Sequence, residues 1–597
     1  MTAATPAVST PVDPITTQVI RRALVAAAEE MHVSIVKTAY NPLIYEIQDF
    51  AVALLTPKGE MLAQGATLPI FLPCLSLTIR SGVERIGLDG FKPGDVIIAN
   101  DPYSTGTHIS DTSIYMPIFH DGELQAFAGS TAHWADIGGK VPGGWCPDSV
   151  DVLQEGMLFP HLKLYDGGEI NQPLADYINA NNRFPHVVRG DLGAQIAAAK
   201  TGVARYVSVC EKYGSETVRH AMELVFDQSE AHVRGLVAEM PDGEWSVETL
   251  MDHDGVELDK RRRIRLTVKI EGDGVSIDFT GTDGTASGPI NIPLTGARAC
   301  AEIAFKSVTV PHEPANEGHS RPLTVTSPKD TITNPSWPAP CDSYGYVGLL
   351  VVDLVAEALA NAIPDRCPAH GFMLFGGFMS RTDPRHGKPF ICVDPLDGGG
   401  GALPFDDGPD GVIFHGDGDV PNMPVEVCEN RFPIRIEEYA LRTEGYGVGR
   451  YRGGLGVVRR YRFLEDNIVL QIANERTQEP PRGLFGGTEA GISRVVVRPG
   501  TQAEEILTQR VSFYGPLAAG DEIRCESAGG GGYGDPIERD PDRVREEVLS
   551  GILTPAEARE YYGVVVRTGA LGDPELDPAA TERERADRLR GSKKTSG

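Results

Sequence analysis

Three short apolar runs between residues 95 and 133 alternate with two polar, glycine-bounded motifs, and this alternation sets what the chain can build. Asp95-Val-Ile-Ile-Ala-Asn100 leads into Asn100-Asp-Pro-Tyr103 and Gly106-Thr-His-Ile-Ser-Asp111. Residues 112–119 lead out again, and 124–132 end on His133-Trp-Ala-Asp136. Runs of this length and composition read as strands, so the polar motifs fall at strand ends. Loops anchored by rigid strands are where side chains converge on a cleft.

The two motifs share a spacing, His-x-x-Asp, at His108/Asp111 and His133/Asp136. Imidazole and carboxylate together suit a borderline divalent ion such as Zn, Mn or Fe, and a site with few protein ligands leaves positions open for water or substrate. His108, Asp111 and His133 form a possible ligand set. The alternative is that the histidines are hydrogen-bonded structural residues, and spacing alone does not choose between the two. Asp101 and Asp136 are either further ligands or, as we prefer, carboxylates that fix a histidine tautomer, orient a ligand or relay a proton. Asn100 and Tyr103 are candidates for substrate contact, with a plain Asn-Asp-Pro turn as the alternative.

Around this core the pattern predicts an α+β, multi-domain protein with mixed sheets, N-terminal and central helices, and a β-rich C-terminal region. A disordered lead-in covers residues 1–12. The region with the metal motifs spans 13–172, opening with a helix over 15–40 whose Ile20, Leu24, Ala27, Met31 and Ile35 share a face. A β-hairpin over 50–64 and a helix over 77–86 follow. A helical and mixed middle region spans 173–370, including an apolar helix over 346–362 suited to a buried core. A glycine-rich β region spans 371–538, and a charged helical segment with a disordered tail spans 539–597.

Composition narrows the function. The formal net charge of −28 argues against nucleic acid and against anionic membranes, both of which need clustered Lys and Arg. Nine cysteines without Cys-x-x-Cys spacing fit reduced thiols in a cytoplasm better than a disulfide framework. No run approaches the roughly 18 apolar residues of a membrane span. The run Gly529-Gly-Gly-Gly532-Tyr-Gly534 lacks the Lys-Ser/Thr of a phosphate loop and reads as structural. If nucleotide chemistry is involved, another polypeptide supplies it.

Taken together, several segments resemble one known family. They are Asn100-Asp-Pro-Tyr with Gly106-Thr-His-Ile-Ser-Asp, Ala132-His-Trp-Ala-Asp-Ile-Gly-Gly, Gln154-Glu-Gly, Gly288-Pro-Ile-Asn-Ile-Pro, Asn422-Met-Pro-Val-Glu-Val, Gly449-Arg-Tyr-Arg-Gly-Gly and Gly529-Gly-Gly-Gly. In this order they are similar to the hydantoinase B/oxoprolinase family, which includes B subunits of ATP-dependent hydantoinases and lactamases and related subunits of acetone and acetophenone carboxylases. The resemblance implies a divalent metal held by His108, Asp111 and His133, and a partner A subunit that uses ATP to phosphorylate a small cyclic amide for hydrolysis here. It also implies an alternative, the metal-containing component of an ATP-dependent ketone carboxylase; a third reading makes the chain a non-catalytic scaffold that completes the partner's active site. Trp134 departs from relatives that carry a second histidine there, which puts a role for that position in doubt.

Overall fold

In the computed structural model the described residues are 12–373, 375–418, 420–507, 511–569 and 573–595. The expected lead-in lies, except for Val12, outside them. The first helix, Pro14–Thr38, starts where Asp13 accepts from the backbone N–H groups of Ile15 and Thr16, and Pro14 occupies a position that needs no N–H. Ile20, Leu24, Ala27, Met31 and Ile35 are all buried, as their spacing predicts.

Seven strands then form one sheet. In chain order they are β1 (Phe50–Leu55), β2 (Met61–Gln64), β3 (Val96–Ala99), β4 (Asp111–His120), β5 (Glu123–His133), β6 (Leu162–Asp166) and β7 (Glu169–Ile170), arranged as β2-β1-β5-β4-β3-β6-β7. The β4–β5 connection is Asp121-Gly122 with φ of 52° and 81°, the positive-φ pair a two-residue hairpin turn requires. Successive side chains point to opposite faces, and both faces are covered. Phe50, Val52 and Leu54 pack with the helices Pro14–Thr38, Pro185–Tyr213 and Ser215–Ala238. Ala51, Ala53 and Leu55 join the opposite core with the helices Phe71–Ile86, Leu294–Thr309 and Tyr344–Ala360.

The helix Phe71–Ile86 begins six residues before the expected start. Pro73 lies in its first turn, where a proline removes no helical hydrogen bond. The apolar helix Tyr344–Ala360 is buried on nearly every side. Helices from the expected middle region thus close both faces of the first region's sheet.

A four-stranded sheet contains Gly243–Met251, Arg262–Glu271, Gly274–Asp278 and Leu323–Thr326. Two more, of four and five strands, lie between Phe375 and Glu526 and share one core containing Met379, Cys392, Tyr461, Leu470 and Ile523. Beside them the glycine-rich segments run against one another. Gly454 N–H donates to Gly400 O at 2.8 Å, Gly530 N–H to Gly454 O at 2.9 Å, and Gly447 N–H to Gly530 O at 2.8 Å. A Cβ at Gly530 would fall 1.8 Å from Gly400 O. The run at 529–532 is therefore a backbone-packing device, as read from the sequence. The expected C-terminal tail is instead helical to Thr595, because Glu, Arg, Ala and Lys carry the helix Pro578–Thr595 past Gly591; residues 596 and 597 are outside the described set.

Candidate metal centre

The sheet register builds the site. Asp111 is the first residue of β4 and His133 the last of β5, and the two are paired directly across the hairpin's open end. His108 lies in the turn that enters β4, where its carbonyl accepts from Asp111 N–H at 3.1 Å. On the other side of β5, β1 pairs Phe50 with Ala132, and His133 N–H donates to Asp49 O at 3.2 Å. Three adjacent strands thus bring Asp49, His133 and Asp111 to one end, with His108 beside them.

Asp111 Oδ1 lies 3.2 Å from His108 Nε2 and 3.2 Å from His133 Nδ1. It nevertheless has no N–H directed at it with hydrogen-bond geometry. The second ring nitrogens, His108 Nδ1 and His133 Nε2, are also buried without a hydrogen bond. Ligand atoms about 2.1 Å from one tetrahedral ion lie roughly 3.4 Å apart, so close approach without hydrogen-bond alignment is what a chelating set looks like. One ligand atom from each of the three residues falls within 4.8 Å of the others. The residues fit a divalent ion. Asp49 Oδ2, 3.9 Å from His133 Nδ1, approaches the same side and is placed to add a fourth ligand atom.

These groups line a cavity of about 100 Å³. Its other ionisable members are Asp342, Asp417 and Tyr344, whose hydroxyl donates to Asp111 Oδ2 at 3.3 Å. The rest of the wall is mainly apolar, including Leu68, Phe71, Trp145, Leu349 and Phe378. Burial pushes Asp111 upward, but the two imidazoles outweigh it and hold the carboxyl at about 2. Burial raises Asp49 to about 7, opposed by His133 and reinforced by Asp111. Burial, with Asp49 and Asp111 nearby, pushes Asp417 well above the usual carboxylate range.

The sequence pattern of the Hydantoinase B/oxoprolinase family matches residues 13–536. The chain belongs to that family. It is 32% identical over 573 residues to a Pseudomonas sp. (strain NS671) protein provisionally named as the B component of a D-/L-hydantoinase, covering 93% of this chain and 95% of that one. It superposes with a TM-score of 0.87 on the ATP-dependent caprolactamase from Pseudomonas jessenii, at 28% identity, covering 97% of this chain and all of the other. An acetone carboxylase structure shares the fold, with a TM-score of 0.87 at 18% identity, covering 98% of this chain and 84% of that one.

Within this hydantoinase B/oxoprolinase framework the motif residues divide. His108, Asp111 and His133 meet in the cavity, whereas Asp101 and Asp136 do not line it. Asp101 caps the helix Pro102–Thr105 by accepting from Tyr103 N–H at 3.1 Å. Asp136 accepts from Gly143 N–H at 3.0 Å and Arg183 N–H at 2.8 Å, and pairs with the Arg183 guanidinium at 3.0 Å. Both carboxylates are taken up by turns, and neither reaches the candidate ligands. Asn100 is a buried latch, donating to Ile109 O and Met157 O at 2.9 Å each. Tyr103 donates to Ala339 O at 2.7 Å. Trp134 points away, its Nε1 donating to Gln195 Oε1 at 2.9 Å.

The Gln154-Glu-Gly segment acts from a distance. Glu155 Oε1 accepts from Cys341 N–H and Asp342 N–H, each at 3.0 Å, and from Ser149 Oγ at 2.6 Å. Asn291 donates to Pro340 O at 2.9 Å. Together they fix the loop that carries Asp342 and Tyr344 to the cavity. Asp49 and Asp342 are isolated aspartates without a repeated spacing, and Asp417 stands in Gly416-Asp-Gly-Asp, whose spacing points to no partner, so sequence reasoning placed none of the three at the site.

Proposed function

We propose that this chain is the B subunit of an ATP-dependent cyclic-amide hydrolase acting on a hydantoin, oxoproline or lactam ring. The observation that carries the reading is the His108–Asp111–His133 cluster on the wall of a largely apolar cavity. The full-length likeness to a hydantoinase component and to a caprolactamase supports the same reaction class. The likeness to acetone carboxylase, at 18% identity, supports the fold alone.

An unstrained amide is held by resonance and is a poor target for water. In the proposed division of labour a partner A subunit takes up ATP and phosphorylates the amide oxygen, which turns that oxygen into a leaving group. His108, Asp111 and His133 would hold the divalent ion, which supplies Lewis acidity toward water and the substrate oxygen. Asp49, Asp342 and Asp417, rather than Asp101 and Asp136, are the carboxylates placed to hold or move a proton at the reacting atoms. Tyr344 orients Asp111, and the apolar wall excludes bulk water. All nine cysteines are buried and unpaired, and among the described residues no helix is long and apolar enough to cross a membrane, which supports a reducing, cytoplasmic setting.

The test is ADP release and ring opening by the chain with its ATP-using partner, over hydantoins, lactams and ketones, with and without bicarbonate. Ring opening without bicarbonate is expected. Turnover that requires bicarbonate would move the protein to the carboxylases. His133→Ala is expected to fold and bind the partner, lose the metal by elemental analysis, and lose activity by at least about 1,000-fold. Full activity in that variant would make the chain a scaffold.

A further inference from the structure

A second cavity, of about 380 Å³, lies beside the metal cavity and has the volume of a small-molecule site. The same segments wall both. Leu68 and Ile70 line the metal cavity while Pro69, between them, lines the second, and Asp417 lines the first while Gly418 lines the second. The two segments meet, since a Cβ on Gly418 would fall 3.0 Å from Pro69 Cγ. The partition there is a single layer of chain.

The charge in this cavity follows from helical spacing. Arg298, Glu302 and Lys306 recur every four residues along the helix Leu294–Thr309 and so share the face that lines it, joined by Arg80, Glu313 and Glu317. Two pairs form: Arg80 with Glu317 at 2.6 Å and Arg298 with Glu302 at 2.7 Å. Lys306 is left over. Its ammonium donates to Val310 O at 3.0 Å and, among the described residues, makes no ion pair. Burial pulls it below its ordinary range, with Glu313 opposing from beyond contact. Glu313 itself meets His319 at 3.1 Å and His232 at 3.0 Å. Lys306 and Glu313 thus present opposite charges to one cavity without touching. A partly desolvated cation gains from a charged acceptor. The balance of three cations and three carboxylates suits a ligand that carries both signs, whereas a phosphate dianion would compete with three glutamates for the same cations. Leu72, Leu77 and Ile303 add apolar wall for a short chain between two charged ends.

We infer that this second cavity holds a small zwitterion, its carboxylate on Lys306 and its ammonium on Glu313. Opening a lactam breaks the C–N bond and leaves a carboxylate and, at neutral pH, an ammonium on one molecule. That the zwitterion is this ring-opened product rests on the cyclic-amide reading above; the site itself does not.

The probes are 5-aminopentanoate, which is ring-opened 2-piperidinone, with pentanoate and inorganic phosphate for comparison, each titrated into the chain alone by calorimetry. 5-Aminopentanoate is expected to bind with a Kd of about 1 mM or tighter, at least about tenfold below that of either comparison anion. No binding at about 10 mM, or equal binding of pentanoate or phosphate, overturns the inference. Lys306→Gln is expected to weaken 5-aminopentanoate at least about tenfold and Lys306→Arg to keep most of the affinity. Glu313→Gln still accepts from His319, and is expected to weaken 5-aminopentanoate while leaving pentanoate unchanged. Unchanged binding in Lys306→Gln overturns the assignment to this cavity, and unchanged binding in Glu313→Gln overturns the seat of the ammonium. In His133→Ala the binding is expected to persist, and its loss would put the ligand on the metal and overturn the assignment. In the complex with the ATP-using partner, added 5-aminopentanoate is expected to slow opening of 2-piperidinone by wild type, and Lys306→Gln is expected to need about tenfold more for the same effect. If the complex opens no ring, the hydrolase reading fails and the product assignment with it, while the titrations still decide the site.

Discussion

Asp191 shows how one buried carboxyl sets a pH dependence apart from catalysis. Its Oδ1 accepts from the backbone N–H groups of Tyr40 at 2.7 Å and Asn41 at 3.1 Å, while Oδ2 is buried without a partner. Burial raises its pKa to about 6 against an ordinary 3.8, with the two N–H groups opposing. A raised folded pKa means the native state holds this proton more tightly than the unfolded chain. The resulting stability is full below the unfolded pKa and is lost as pH rises through about 6. Asp191→Asn keeps an acceptor for both N–H groups and removes the charge. It is expected to match wild type near pH 4 and to exceed it by about 3 kcal/mol at pH 7.5, measured by urea unfolding at both values. At the candidate metal cluster, zinc addition is expected to raise the Tm of wild type and not that of Asp111→Asn, because a ligand that binds only the folded state stabilises it.

At the scale of elements, the β4–β5 hairpin and the loop before the helix Tyr344–Ala360 must arrive together. The hairpin is local, and its Asp-Gly turn and strand pattern make the Asp111–His133 pairing legible in the sequence. The loop is not local, since Glu155 reaches across 187 positions to bind Asp342 N–H. Burial pushes the Glu155 carboxyl well above its ordinary range, with Asp342 adding to the effect. Glu155→Gln, which still accepts hydrogen bonds, is therefore expected to stay within about 1 kcal/mol of wild type. Glu155→Ala leaves Ser149, Cys341 and Asp342 donors unsatisfied and is expected to cost about 3 kcal/mol in urea unfolding. Ring opening should fall with it as Asp342 loses its position. The carboxylates expected to assist, Asp101 and Asp136, follow the same logic in reverse. Their sequence neighbours suggested a site, but the nearest backbone N–H groups claimed them for turns.

Across the whole molecule, glycine plays two roles that composition cannot distinguish. Gly530 sits where four glycine-rich segments meet, and a Cβ there would collide with Gly400 backbone. Gly193 lies in the helix Pro185–Tyr213 with nothing within 4 Å of a built Cβ. Gly530→Ala is expected to cost more than about 4 kcal/mol or to prevent soluble expression. Gly193→Ala is expected to raise stability by about 0.5–1 kcal/mol, as replacing glycine in a helix interior does. Paired thermal unfolding scans check both. The regional boundaries read from composition near 172 and 370 mark changes of element type. The main core crosses them, joining Ala51 to Ile290, Val351 and Ala528.

Sequence reading was enough for the α+β class, the first helix and its buried face, the metal-motif strands, the family, and the grouping of His108, Asp111 and His133. The class, the helix and the strands are written in short-range periodicity, the trio in two motifs joined by one hairpin, and the family in the order of segments from Asn100 to Gly532. It took the folded chain to show that Asp49, Asp342 and Asp417 join the trio while Asp101 and Asp136 do not, and that Trp145 lines the same cavity. Those outcomes depend on strand register and on hydrogen bonds between distant segments, and the free energy of burial that selects them belongs to the assembled core.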